Sequence, residues 1–159
     1  SRMPLSGGSP SGGSPSRVPM PRGPLPRSAD DLLMSARRSL TEASIAATAG
    51  ERYAAAHLAA LRASAAVLAA RGRPSSGRRS RVISVWAVLP QVAPELGEWA
   101  TFFAAGARKR AAAEAGLDCV SHREADDLVR DADTFLVRVC EVLDVPHQSS
   151  MGSALLHVG

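Results

Sequence analysis

SHREADDLVRDADTFLVRVCEVL, residues 121–143, decides the fold class of this chain. Ala125, Leu128, Val129, Ala132, Phe135, Leu136, Val139, Val142 and Leu143 recur at three- and four-residue intervals. That is the spacing of one apolar face on an α-helix, sustained for about six turns. Ser121 with Glu124 three residues on forms a capping box, because each side chain satisfies a backbone N–H that the first turn leaves free. Pro146 marks the far end.

Working outward, the segment before it reads the same way. Pro94 stands at a favoured first-turn position, and Glu95 and Glu98 suit the positive end of a helix dipole. Leu96, Trp99, Phe102 and Phe103 are its large apolar residues, Arg108, Lys109 and Arg110 lie near its other end, and Gly116 closes it. Residues 51–71, ERYAAAHLAALRASAAVLAAR, are dense in alanine, the strongest helix former, with Tyr53, Ala56, Ala60, Val67 and Leu68 on the inner side. A helix from Ser28 to about Ala49 precedes it, with Ser28 and Asp31 as a capping pair and Gly50 as its stop. Between them and the later helices, Val82–Leu89 forms a short helix ending near Pro90. Its β-branched residues also suit a strand, but the chain offers no partner strand. The expected architecture is all-α, an up-and-down four-helix bundle with a short extra helix.

Residues 1–27 are different in kind. They hold seven of the eleven prolines, five of the thirteen glycines and no acidic residue. Such a segment buries too little apolar surface to offset its ordering entropy and reads as a disordered basic tail. Residues 28–145 form the domain and residues 146–159 a loose C-terminal tail. The net charge of +4 equals the charge of Arg2, Arg17, Arg22 and Arg27, so the domain is neutral and its pI argues little about partners. No stretch reads as the roughly 20 apolar residues that span a bilayer. Cys119 and Cys140 form no CxxC pair, which points to a reducing, cytoplasmic setting. His57, His122, His147 and His157 have no metal-ligand spacing, so neither a metal nor a cofactor is expected.

Three stretches, ERYAAAHLAALRASAAVLAARGRP, WATFFAAGARKRAAAEAGL and SHREADDLVRDADTFLVRVCEVL, together resemble an HEPN domain, and more narrowly small HEPN-like proteins of high-GC bacteria. The resemblance covers roughly residues 28–145. It implies a helical bundle, often dimeric, used in RNA-related and toxin–antitoxin systems. It also implies that active members are metal-independent endoribonucleases with an Arg followed four to six residues later by His, near the final long helices. This chain departs from that pattern. No His follows Arg108 or Arg110 at that spacing, and His122 lies twelve residues beyond Arg110. Arg52 and His57 have the spacing but sit on the second helix, where five residues of rotation leave the side chains about 140° apart.

The preferred expectation is therefore a non-catalytic binding or regulatory module, with His57 structural. One alternative is an endoribonuclease using Arg52 and His57 or Arg110 and His122, the His taking the 2′-hydroxyl proton and the Arg stabilising phosphate charge. Another is a nucleic-acid binder whose basic pole gathers Arg73, Arg78, Arg79, Arg81, Arg108, Arg110 and Arg123. Expected partners are a second copy, through the face of Ala55, Ala59, Ala63, Ala66 and Ala70, and an RNA or a protein.

Overall fold

A computed structural model describes residue 3, residues 24–72 and residues 84–146, and all its regular elements are helical. They are α1 (Arg27–Ile45), α2 (Ala49–Arg71), α3 (Val85–Val92), a 3₁₀ turn (Pro94–Leu96), α4 (Gly97–Ala105), α5 (Ala107–Glu114) and α6 (His122–Leu143). The all-α class is as expected. Residues 73–83 and 147–159, and the tail apart from Met3 and residues 24–26, lie outside the described residues.

α2 is the axis. α1 runs antiparallel to it, as Arg62 donating to Ser39 at 2.8 Å and Arg52 donating to the Ala43 carbonyl at 3.2 Å show. α6 runs parallel to it, with Arg52 paired to Asp126 near both N-termini. α5 runs antiparallel, its Ala113 beside Gly50 in the first turn of α2. Covered from several sides, α2 buries residues around its whole circumference, including Tyr53, Ala56, His57, Ala60, Ala63, Ser64 and Val67. Alanine makes this possible, since a thin helix lets neighbours approach on every side. By length and hydropathy α2, with 23 residues, would also suffice to cross a membrane, which the sequence reading did not register. Its apolar surface lies against α1, α3, α5 and α6 instead.

Several boundaries differ from the sequence expectation. α1 begins at Arg27 behind Pro26, with no side-chain cap, so Ser28 and Asp31 form no capping pair. It ends at Ile45, and Thr48 caps α2 by accepting from the Glu51 N–H at 3.1 Å. Gly50 is therefore no stop signal; it sits where α5 approaches, with Ala113 Cβ 3.6 Å from the position a Cβ would take. α3 runs through Pro90, capped by Ser84. The expected fourth long helix is not continuous. It divides into the 3₁₀ turn, α4 and α5, breaking at Gly106, whose N–H bonds back to the Phe103 carbonyl at 3.0 Å. The Ser121–Glu124 capping box is as read, and Cys140 is buried.

The alanine face of α2 is used within the protomer. Ala59, Ala63 and Ala66 are buried, and Ala55 and Ala70 pack against the core. A homodimer would have to form elsewhere; the exposed large apolar side chains among the described residues are Met34, Ile45 and Leu117.

Candidate functional site

Small residues bring α1, α2 and α6 together, whereas aromatic rings hold α4 away. Phe103 stands at the centre of this ring layer, with centroids 5.3 Å from Trp86, 6.0 Å from Trp99 and 5.1 Å from Phe135. Where the layer ends, at the break after α4, a cleft of about 310 Å³ opens, lined by Tyr53, Phe102, Gly106, Lys109, Glu124 and Leu128 among others. Such a concave, partly aromatic space with a few polar groups is the usual form of a binding site.

Its polar groups are held by the two helix junctions. Lys109 Nζ meets Glu124 Oε2 at 2.6 Å, and Glu124 Oε1 accepts the Ser121 N–H at 3.0 Å. One carboxylate thus closes the N-terminal cap of α6 and ties α5 to it. The hydrogen bond from Lys109, then that from Ser121, holds the Glu124 carboxyl below its ordinary range. The same bond raises Lys109. Burial pushes the Tyr53 hydroxyl up, so it stays protonated as a donor at neutral pH. That hydroxyl lies over Gly106, 2.7 Å from where a Cβ would be; glycine is needed there for closeness rather than for an unusual φ, since φ is −89°.

His57 closes the floor beneath. It is fully buried, its Nε2 lies 2.8 Å from the Phe103 carbonyl, and its ring packs against Trp86 and Phe103. A carbonyl only accepts, so Nε2 carries the proton and the ring is the neutral Nε2–H form. Burial lowers its pKa, and Arg110 pushes the same way against the Phe103 carbonyl.

Arg52 and His57 do not converge. Arg52 donates to Asp126 at 2.6 Å and to the α1 carbonyls of Ala43 and Ala46 at 3.2 and 3.3 Å. It thereby serves the free carbonyls at the end of α1, while His57 points into the ring layer. Replacing Arg52 by alanine should cost about 1 kcal/mol, since the ion pair is half-exposed but two carbonyls lose a donor. Urea denaturation checks this; an unchanged midpoint would remove Arg52 from the structural account. Arg110 is half-buried and faces Glu114 at 3.8 Å, and His122 is exposed in the first turn of α6.

Among the described residues, the candidate basic side chains fall in two groups. Arg71, at the C-terminal end of α2, donates to the Val92 carbonyl at 2.9 Å and to Glu95 at 3.1 Å. Arg108 and Arg110 lie on α5 beside the start of α2, with Arg123 nearby at the start of α6. The two groups are separated by the length of α2, about 34 Å at 1.5 Å per residue. α5 runs antiparallel to α2, which sets its arginines apart from Arg71. Arg73, Arg78, Arg79 and Arg81 lie outside the described residues. At the α5 end, a second groove of about 840 Å³ runs between the α1–α2 and α5–α6 turns, and Glu51, Glu114 and Asp118 line it together with His122. These carboxylates oppose a phosphate at the α6 N-terminus.

No curated protein and no solved structure matches the chain. The model of an HEPN-like family matches it over residues 43–140, from the end of α1 through most of α6. That span is more than half of the chain and contains the cleft, the ring layer and both helix junctions, and on this match the protein belongs to that HEPN-like family.

Proposed function

We propose that the domain is a non-catalytic HEPN-like binding or regulatory module that works in an RNA-related or toxin–antitoxin type system. What supports this reading above all is the engagement of Arg52 and His57. The one Arg/His pair with the family's catalytic spacing is committed to packing, Arg52 to Asp126 and the end of α1, His57 to the Phe103 carbonyl. A general base must reach the proton it removes, whereas this imidazole is buried at the floor of the cleft with its Nε2–H held by the Phe103 carbonyl. The cleft above it, with the Tyr53 hydroxyl and the Lys109–Glu124 pair at its wall, is then the place for a bound group. Both cysteines are free thiols, which suits a reducing cytoplasm.

The test is incubation of the pure protein with labelled RNA in EDTA. We expect intact RNA. Cleavage that persists through purification and disappears in His122→Ala, with the helical circular dichroism unchanged, would overturn the reading in favour of a metal-independent endoribonuclease. Retention of RNA without cleavage would make the module a nucleic-acid binder.

A further inference from the structure

The turns at residues 46–48 and 115–121 face each other across the groove of about 840 Å³. Its floor is where α2 and α5 meet, with Ala113 Cβ 3.6 Å from the position a Cβ on Gly50 would take. Small residues at that floor keep the groove deep. Leu117 stands in its wall, 60 % exposed. A lone exposed leucine is ordinary on a protein surface, but this one shares a concavity with Ala47, Ala54 and Val120.

The charge of the groove runs against that of the chain. The chain carries nineteen lysines and arginines against fifteen acids. Among the described residues that line the groove, Glu51, Glu114 and Asp118 are carboxylates and none is a lysine or arginine. Glu51 and Asp118 are exposed and have no ion pair among the described residues. Glu114 meets Arg110 only at 3.8 Å. Arg52, next to Glu51 in the chain, is turned to Asp126 and the end of α1, and Arg123 does not line the groove. The N-terminal ends of α2 and α6 also lie here, and free helix amides attract anions. Those amides are already served: Thr48 accepts from the Glu51 N–H, Ser121 from the Glu124 N–H, and Glu124 from the Ser121 N–H. α5 presents its C-terminal end, which favours a cation.

We propose that this groove docks an extended, arginine-bearing segment of a partner protein. An arginine stem covers apolar surface such as that of Leu117 and the alanines. Its guanidinium, with five donors in a fixed fork, reaches the carboxylates of Glu51 on α2 and Asp118 in the facing turn. A polyamine offers the charge but no side chain to set against Leu117. An RNA would bring phosphates to three carboxylates with no cation between them. The groove is separate from the cleft at the ring layer, and the proposal depends neither on what that cleft binds nor on whether the domain cleaves RNA.

The test titrates the full chain, labelled with nitrogen-15, with a blocked peptide of alanine, arginine, leucine, arginine and alanine. Saturable shifts are expected in the amides of residues 48–51 and 116–121. Glu51→Gln combined with Asp118→Asn should raise the dissociation constant about fivefold, the effect of losing two exposed ion pairs. Leu117→Ser should weaken binding by a similar factor. Glu98→Gln, an exposed acid on α4, should leave it unchanged. All four side chains are exposed, so folding survives their replacement, and circular dichroism verifies this. Absence of shifts at the groove overturns the proposal, as do shifts that the double substitution leaves unchanged. Spermine binding the same amides as tightly, and indifferent to Leu117→Ser, would make the groove a site for polycations and overturn it too. So would the same shifts on raising the protein concentration alone, because the occupant would then be a second copy.

Discussion

Replacing His57 by alanine is expected to lower folding stability by about 3 kcal/mol, a large part of what a domain of this size commands. The imidazole is fully buried among Trp86, Phe103 and Tyr53, so truncation leaves a cavity in the ring layer. It also strips the Phe103 carbonyl of its side-chain donor, at the point where α4 stops. His122→Ala, at an exposed position, should stay within about 0.5 kcal/mol of the parent. Urea unfolding of both variants decides the matter, and equal midpoints would show that His57 does not brace the core.

The same residue sets a pH dependence. Burial lowers the folded pKa of His57 below its ordinary 6.5, whereas the unfolded imidazole takes up its proton near that value. Between the two pKa values the unfolded chain binds more protons, so stability rises with pH there. The contribution is fully present above pH 6.5 and is lost as the pH falls toward the folded pKa, at up to about 1.4 kcal/mol per unit. The stability gap between parent and His57→Ala should therefore narrow on acidification. A gap that stays constant from neutral pH to pH 5 would mean that His57 is not held neutral.

The second large effect is expected at Gly106. Glycine to alanine within a helical stretch ordinarily gains roughly 0.5–1 kcal/mol, and the φ of −89° at Gly106 poses no obstacle. Here the new methyl would stand 2.7 Å from the Tyr53 hydroxyl. That oxygen ends a rigid ring whose residue is only 8 % exposed, so the ring must move and disturb its packing. We expect Gly106→Ala to destabilise by about 2 kcal/mol. In a Tyr53→Phe background the hydroxyl is gone and most of the penalty should vanish, a coupling that a double-mutant cycle measures. Stabilisation by Gly106→Ala in the parent would place Tyr53 away from the α4–α5 break. If the cleft binds the module's ligand, the same substitution narrows its wall, so loss of binding should accompany loss of stability.

Periodicity made α6 legible from sequence because its apolar residues fall on one face and its cap is local, Ser121 with Glu124. It made α2 legible only as a helix. With alanine on all sides and a hydrophobic pattern that favours no face, nothing in residues 51–71 says which neighbours lie where. The Arg52–His57 spacing was visible too, and so was the rotation that separates the two side chains. Their actual partners were not, because Phe103 and Asp126 come from 46 and 74 residues away.

The sequence by itself determined what is local: all-helical structure, the Ser121 cap and the change of composition ahead of α1. Only the tertiary structure decided what depends on distant approach. At the break between α4 and α5, the Tyr53 hydroxyl lies over Gly106. The antiparallel course of α5 along α2 separates Arg71 from Arg108 and Arg110. The cleft exists because rings on α4 are wider than alanines on α2. Helix formation follows from backbone and side-chain preferences within a turn or two, whereas directions, breaks and clefts follow from packing, which each residue shares with neighbours the sequence does not name.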